Sequence, residues 1–265
     1  MDIKKILFEY DSMFGRNTLD EINAFLSRKI DEAKKEQDHY ATITLLNEMM
    51  GFCRETGQRE RGIECCNEVI ELMKQLNLHN SMEYGTTLLN IANLYRAFGL
   101  WEKSLGTYQE VERIYKDKLA EGEFNYASLY NNWSVLYQEM RDFQNAKVMI
   151  LKALNIVDKY EEAYIEQAST RTNLACILLE LSEENDEKAV LYLKESLSIF
   201  ERDERKDYHY SAALSAMGDV LYMRKNYQEA ASYYKKGMEE IERYVGKSGL
   251  YQKLEEKYRQ MQRFL

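Results

Sequence analysis

Proline is absent from the 265 residues of the chain, although average usage would give roughly a dozen. Proline interrupts helices because it lacks a backbone N–H and its ring clashes with the preceding turn. The plentiful residues are Glu, Lys, Leu, Ala and Tyr, most of which are good helix formers. The composition therefore predicts long, unbroken helices, and a hydrophobic content of 45% is enough for a continuous core.

Cysteine and histidine are also scarce, and their spacing does not fit a metal site. The chain has no C-x-x-C pair, and these residues are Cys53, Cys65, Cys66, Cys176, His39, His79 and His209. A zinc site needs closely spaced ligands of these types, so we expect no metal and no cofactor. We interpret the cysteines as small buried hydrophobic residues. Because Cys65 and Cys66 cannot both face one side of a helix, one of them is expected to be exposed.

Positive charge is in deficit. The formal net charge is −9, so a nucleic-acid backbone or an anionic membrane surface would on average be repelled. Near the N-terminus only Ile6, Leu7 and Phe8 form an apolar run, which is too short for a signal segment or a membrane span. We expect a soluble, cytoplasmic protein with no nucleic-acid or membrane partner.

Catalytic motifs are missing as well. The sequence has no Gly-rich phosphate loop, no G-x-S-x-G and no H-E-x-x-H. We therefore do not expect an enzyme. An active site assembled from distant residues would leave no such motif, so measurable turnover that depends on particular residues would revive that alternative.

The sequence does contain an internal repeat. Small residues recur at intervals of 42, 42, 43 and 41, and each is followed four positions later by a larger apolar residue. The pairs are Gly62 and Cys66, Ser104 and Tyr108, Ala146 and Ile150, Ala189 and Leu193, and Ala230 and Tyr234. The segment before each pair is apolar at helical spacing. Turn residues separate the two segments at Gly57, Gly99, Arg141, Ser182 to Asp186, and Lys225. Each repeat is predicted to be two helices joined by a tight turn.

This pattern resembles the tetratricopeptide repeat, in which a large-x-x-large-small-x-x-Tyr first helix precedes a small-x-x-x-aromatic second helix. The segment Leu88 to Tyr95, followed by Ser104 and Tyr108, is the best match. The period is longer than the usual 34 residues, as it is in kinesin-light-chain-like and bacterial peptide-sensing members. Arg171 departs from the pattern, because a large apolar residue is expected there. The resemblance implies an all-α fold, a right-handed α-solenoid.

We predict five repeats with a helical cap at each end, since a stack of repeats otherwise leaves an apolar face open at both termini. The repeats are 39–80, 81–122, 123–163, 164–206 and 207–246, which together form the region 39–246. Residues 1–38 are interpreted as a degenerate helix pair whose second helix begins with a capping box of Thr18 and Glu21. Residues 247–265 are interpreted as a capping helix.

The first helix of each pair has a polar face opposite its core-facing side. Asparagine recurs on this face, at Asn90, Asn132 and Asn173, with Asn93 and Asn131 beside them. In a helix asparagine costs about half a kcal/mol relative to alanine, so three copies in one register indicate a role other than helix formation. A carboxamide can bridge the N–H and C=O of an extended peptide. The resemblance implies that these asparagines contact a peptide in a concave groove.

Further side chains of this face are expected to help bind the peptide: Arg54, Arg96, Glu139, Glu180, Asp219 and Tyr222. Their mixed charges predict no uniform preference for an acidic or a basic ligand. The outer repeats depart from the asparagine pattern, with Glu48 in the first and Ala216 in the fifth. The alternative interpretation is that all these side chains are simply solvated on an exposed helix face.

The expected function is that of an adaptor, which holds a peptide segment of a partner protein in the groove. The alternative is a regulator similar to the bacterial peptide sensors, whose peptide ligand changes the curvature of the solenoid. Sensors that act on transcription carry an N-terminal DNA-binding domain, and the residues before the first repeat contain no basic recognition helix. Self-association into a homodimer through a capping helix is compatible with either.

Overall fold

The computed structural model describes residues 1–181, 186–202 and 208–264. Within these ranges the chain forms thirteen α-helices and no β-strand, which confirms the all-α prediction. None of the described helices is both long and apolar enough to cross a membrane. The helices are α1 (Ile3–Met13), α2 (Leu19–Lys35), α3 (His39–Thr56), α4 (Arg59–Gln75), α5 (Met82–Ala97), α6 (Trp101–Lys118), α7 (Asn125–Glu139), α8 (Phe143–Val157), α9 (Tyr164–Leu181), α10 (Asp186–Glu201), α11 (Tyr208–Met223), α12 (Tyr227–Val245) and α13 (Gly249–Met261).

Consecutive helices pack as antiparallel pairs from α3 with α4 to α11 with α12, and each predicted repeat contains one such pair. The helices form two compact units, Met1–Ala120 with α1 to α6 and Glu121–Leu265 with α7 to α13. We call them unit 1 and unit 2. The repeat pattern of the sequence, which is regular from 39 to 246, does not indicate this division. Residues 182–185 of the predicted fourth turn lie outside the described residues.

Small residues allow the two helices of a pair to approach closely. At the predicted positions Ser104, Ala146, Ala189 and Ala230 are completely buried. Gly218 on α11 shows the constraint most directly, because a Cβ added there would lie 2.5 Å from Cε1 of Tyr234 on α12. Any larger residue at Gly218 would have to displace the aromatic ring that fills this pair.

The four turns within pairs that the structure describes share one backbone conformation. Gly57 and Gly99 have φ values of +75° and +71°, and Arg141 and Lys225 adopt the same left-handed region at +60° and +59°. After each turn residue, the next N–H donates to a carbonyl five residues earlier, as in Gln58 to Cys53 at 2.9 Å and in the bonds made by Leu100, Asp142 and Asn226. This is the Schellman motif, which satisfies carbonyl groups at the end of a helix.

The structure describes local features of the two segments that were predicted to be caps. The capping box of α2 is confirmed: Glu21 N–H donates to Thr18 Oγ1 at 3.3 Å, and Thr18 N–H donates to Glu21 Oε2 at 2.8 Å. On α13, Tyr251, Leu254 and Met261 are buried. The opposite side of α13 is exposed and polar, as a terminal helix requires, with Gln252, Lys253, Glu256 and Arg259.

The expectation that either Cys65 or Cys66 is exposed is wrong, because both side chains are completely buried. Their helix, α4, packs against α3 and also against α5. A second helix inside a stack is therefore covered on more than one side, and two adjacent residues can both be buried. Burial raises the pKa of the Cys66 thiol to about 12, so this residue is not a reactive thiolate.

Arg171 lies where the repeat pattern calls for an apolar core residue, and it forms ion pairs with two carboxylates. Its guanidinium lies 2.9 Å from Asp158 Oδ1, in the segment between α8 and α9, and 3.1 Å from Glu195 Oε2 on α10. The arginine side chain is mostly buried, with 16% of its surface exposed. Two carboxylates and a backbone carbonyl therefore satisfy a charge where the repeat pattern calls for an apolar residue.

Candidate peptide-binding faces

In unit 1, amide side chains connect the first helices of two successive pairs. Asn90 on α5 donates from Nδ2 to Oδ1 of Asn47 on α3 at 2.7 Å. Asn47 in turn donates from Nδ2 to Thr87 Oγ1 at 3.1 Å. We call Asn47, Thr87 and Asn90 the unit 1 ladder. Counting by 42 residues places Glu48 opposite Asn90, but the structure places Asn47 there, one residue earlier.

In unit 2, a second amide pair has the same arrangement. Asn173 on α9 donates from Nδ2 to Oδ1 of Asn131 on α7 at 3.1 Å. The adjacent Asn132 instead donates to the carbonyl oxygen of Ser128 in its own helix at 2.9 Å. We call Asn131, Asn132 and Asn173 the unit 2 ladder. Of two neighbouring asparagines, only Asn131 bonds to the next first helix.

The capping helix α13 continues this pattern with a lysine. Lys257 Nζ donates to Ser215 Oγ on α11 at 3.2 Å, across the same separation of 42 residues that joins Asn131 to Asn173. Lys257 also contacts both carboxylate oxygens of Asp219, at 2.7 and 2.8 Å. Helix α13 is therefore joined to α11 in the way that α9 is joined to α7, with a lysine in place of the asparagine.

The ladder bonds use only part of the hydrogen-bonding capacity of the asparagines. Asn90, Asn132 and Asn173 are half-buried, and their Oδ1 atoms accept no hydrogen bond from the residues that the structure describes. A carboxamide has two N–H donors and an oxygen with two lone pairs. Each of these side chains therefore keeps an acceptor and a donor, while its other N–H bonds to a neighbouring first helix in Asn90 and Asn173 and to its own helix in Asn132.

Asn93 and Asp219 are not simple face residues as predicted, since each accepts a hydrogen bond from a core tyrosine. Tyr108 donates to Asn93 Oδ1 at 2.6 Å, and Tyr234 donates to Asp219 Oδ1 at 2.8 Å, both across 15 residues. Asn93 is only 6% exposed. Its prediction as a peptide-binding residue needs correction, because its amide is enclosed between α5 and α6. Asp219 remains half-buried, with Lys257 beside it.

The two arginines predicted for the binding face both belong to unit 1. Arg54 is half-buried near the end of α3, where its Nε donates to Oε1 of the neighbouring Glu55 at 3.0 Å. Arg96 is half-buried at the end of α5. The positive charge of Arg54 is thus already partly neutralised by a carboxylate of its own helix.

The other predicted residues are in unit 2 and lie towards the C-terminal ends of first helices. Glu139 is exposed at the end of α7. Glu180 is exposed near the end of α9, and its Oε2 lies 3.6 Å from the guanidinium of Arg141. Tyr222 is 41% exposed near the end of α11, with its ring centroid 5.9 Å from that of Tyr227.

The described residues include no group of three or more His, Cys, Asp or Glu side chains that could hold a metal ion. What the structure brings together on the first helices is a set of neutral amides, two of them in contact across helices in each unit. Asn47 and Thr87 were not predicted; Asn47 is half-buried, and Thr87 is almost completely buried. Such a set offers hydrogen bonds but no nucleophile or acid–base pair.

Family models of the tetratricopeptide repeat match residues 41–117 and residues 211–249. The first match includes α3 to α6 of unit 1, and the second includes α11 and α12 of unit 2. Neither model describes an enzyme family. No curated protein sequence matches the chain significantly.

Solved structures share the fold at low sequence identity. BtubC (BKLC) from P. vanneervenii matches with a TM-score of 0.66 and 17% identity over 83% of this chain and 90% of that protein. NprR in complex with its cognate peptide NprX matches with a TM-score of 0.68 and 14% identity over 99% of this chain and 72% of NprR. The apo form of RapI matches with a TM-score of 0.59 and 14% identity, over 99% of this chain and 71% of RapI. The family models thus identify tetratricopeptide repeats in both units, and the solved structures share the repeated helix-pair fold of this chain.

Proposed function

We propose that the protein is an interaction scaffold whose first-helix faces bind an extended segment of a partner protein. Proteins with tetratricopeptide repeats generally mediate protein–protein interactions. The observation that carries the proposal is the set of half-buried amides Asn90, Asn132 and Asn173, each of which keeps an acceptor and a donor. These groups can bond to a peptide backbone without regard to its side chains.

The amides alone cannot supply a useful affinity. A hydrogen bond adds roughly 0.5–1.5 kcal/mol net, so three of them contribute a few kcal/mol, whereas micromolar binding requires about 8 kcal/mol. Side chains beside the ladders must therefore supply the remainder. In unit 2, Tyr222 is exposed and aromatic, a residue type that often anchors interfaces.

The proposal is tested by affinity capture from lysate with the wild type and with the combined variant Asn90→Ala, Asn132→Ala and Asn173→Ala. The captured proteins are identified, and their binding segments are then mapped with synthetic peptides. We expect the variant to bind the mapped peptides about tenfold more weakly or worse, because up to three hydrogen bonds are lost. Retention of the same partners at the same strength would refute the proposal.

Matched controls separate binding from folding. Asn67→Ala on α4 and Asn155→Ala on α8 change exposed asparagines of second helices, and we expect binding to be unchanged. Asn132→Ala is the cleanest single variant, because its amide bonds only to its own helix and no connection between helices is broken. Thermal unfolding of every variant is compared with that of the wild type.

A peptide-responsive regulator is the second candidate. It is favoured by the likeness to NprR, which was solved with its cognate peptide and whose fold covers nearly the whole of this chain. A regulator would bind a short free peptide and change conformation, whereas an adaptor would bind the segment within an intact partner. Small-angle scattering with and without the mapped peptide distinguishes them, since only the regulator requires a change in the scattering profile.

A further inference from the structure

An open pocket of about 430 Å³ lies on unit 2, between α9 and α10. Lys194 and Ser198 are four residues apart and so are neighbours on one face of α10, and Arg202 follows the helix four residues later. Arg171 of α9 lies across from them. We call this site the basic pocket, and its lining residues are Arg171, Lys194, Glu195, Ser198, Ile199 and Arg202.

Arg171 is held firmly in the basic pocket but keeps unused donors. Its Nε donates to Glu195 Oε2 at 3.1 Å. Its Nη1 donates to the carbonyl oxygen of Gln167 at 3.2 Å and lies 2.9 Å from Asp158 Oδ1. Its Nη2 forms no hydrogen bond with the residues that the structure describes. Because a guanidinium has five N–H groups in a rigid fork, the two on Nη2 stay available in a fixed orientation.

The other cations of the basic pocket have no partner. The side chains of Lys194 and Arg202 are exposed and form no hydrogen bond or ion pair within the described ranges. The Ser198 hydroxyl is likewise unpaired in this part of the chain. The lining contains three cationic side chains and one carboxylate, that of Glu195, with Asp158 beside it. Positive charge is thus in local excess on a chain of net charge −9, which indicates an anionic ligand.

The donors of the basic pocket fit a phosphate group better than a carboxylate. A phosphate monoester has three strong acceptor oxygens and a charge of about −1.5 to −2 at neutral pH. Arginine binds such oxygens through its planar fork, lysine binds them as a point charge, and a serine hydroxyl donates one further bond. A carboxylate has two oxygens in one plane and would leave some of the donors from the two helices unused.

We propose that the basic pocket binds the phosphate group of a phosphorylated ligand. This inference is independent of the proposed function, because none of the lining residues belongs to a ladder. Asn173 of the unit 2 ladder lies two positions after Arg171 on α9, which is about 200° around the helix. The basic pocket is therefore on the other side of α9, and a peptide on the ladder leaves it accessible.

The probes are inorganic phosphate, N-acetyl-O-phosphoserine amide and glucose 6-phosphate, each titrated into the full chain. NMR of the arginine Nε–H groups follows binding, and the Arg171 signal is identified by its loss in Arg171→Lys. We expect all three probes to shift this signal saturably. Tighter binding of the phosphoserine amide would assign the site to a phosphorylated protein side chain, and tighter binding of the sugar phosphate would assign it to a small molecule.

Variants of exposed residues avoid defects in folding. Lys194→Met and Arg202→Met should each weaken binding of the tighter probe about tenfold, because a hydrogen bond between charged groups is lost. Glu195→Gln keeps an acceptor for Arg171 but removes the carboxylate of the lining, so it should strengthen binding about threefold. The matched control Lys188→Met removes an exposed lysine of α10 that does not line the pocket, and it should leave binding unchanged.

Three results would overturn the inference. The Arg171 signal shifts without saturation, or it shifts equally with chloride at the same ionic strength, because either response reflects salt in general rather than a site. The third is that Lys188→Met weakens binding as much as Lys194→Met. The ladder variant Asn173→Ala should bind phosphate like the wild type, so failure of the ladder proposal and failure of the basic pocket are measured separately.

Discussion

Two helix pairs, α5–α6 of unit 1 and α11–α12 of unit 2, contain a similar buried hydrogen bond with different acceptor groups. In both pairs a buried tyrosine donates to a side chain 15 residues earlier. In unit 1 the acceptor is the neutral amide of Asn93, which is almost completely buried. In unit 2 it is the carboxylate of Asp219, which is 43% exposed and paired with Lys257. A charged acceptor is thus found where water and a cation reach it.

The strongest test of this comparison exchanges the two acceptors. Asn93→Asp places a carboxylate in the enclosed position, with no lysine equivalent to Lys257, and we expect a loss of about 3 kcal/mol in the free energy of unfolding at neutral pH. Asp219→Asn should cost less than about 1 kcal/mol, because an exposed ion pair contributes little. Urea denaturation followed by circular dichroism measures both. Equal losses would show that burial does not distinguish the two positions.

Removing the hydroxyl groups of the two tyrosines should give a smaller difference in stability between the two helix pairs. Tyr108→Phe leaves Asn93 Oδ1 buried without its donor, and we expect it to cost about 1–3 kcal/mol. Tyr234→Phe leaves Asp219 with Lys257 and solvent, so its cost should be below about 1 kcal/mol. Hydrogen exchange of α6 and α12 locates each effect in its own helix pair. A larger loss of stability for Tyr234→Phe than for Tyr108→Phe would contradict this comparison.

The turns of the two units also differ, although their backbone conformation is the same. At the turns within the α3–α4 and α5–α6 pairs, unit 1 has the glycines Gly57 and Gly99, whereas the described turns within the pairs of unit 2 have Arg141 and Lys225. The left-handed conformation costs a residue that has a Cβ about 1 kcal/mol or more. We expect Gly57→Ala to lower the free energy of unfolding by about this amount and Lys225→Gly to raise it by a similar amount. No atom lies within 4 Å of a Cβ added at Gly57, so the measurement isolates the backbone term.

The smallest expected effect is that of the cation in unit 2. Lys257→Met removes the ion pair with Asp219 but keeps the length of the side chain, and both partners are substantially exposed. We expect a loss below about 1 kcal/mol that shrinks further in about 1 M salt, because salt screens exposed charges. Thermal unfolding at low and high salt measures it. A loss that is independent of salt would indicate packing rather than charge.

Much of the fold could be predicted from local patterns. The spacing of small and large residues predicted the helix pairs, and Thr18 with Glu21 predicted the start of α2. The 15-residue separation of Tyr108 from Asn93 recurs for Tyr234 and Asp219, so the sequence did contain a signal for these two contacts. Helical periodicity alone, without this separation, predicts Asn93 on the binding face.

The details of the candidate faces could not be predicted in the same way. Neighbouring residues on a helix point about 100° apart. Whether Asn47 or Glu48 meets Asn90, and whether Asn131 or Asn132 meets Asn173, therefore depends on the rotation of one helix against the next. A shift of one residue would place the carboxylate of Glu48, rather than the amide of Asn47, opposite Asn90. The burial of both Cys65 and Cys66 likewise depends on α4 having neighbours on two sides.

The sequence by itself determined the helix pairs, their period and the cap at α2, because these follow from contacts within a few residues along the chain. The tertiary structure decided which polar side chains meet across about 42 residues and which asparagines keep free hydrogen-bonding groups. The physical reason is that a helix is specified by its own residues, whereas the partner of a side chain on its surface depends on how neighbouring helices are rotated and packed.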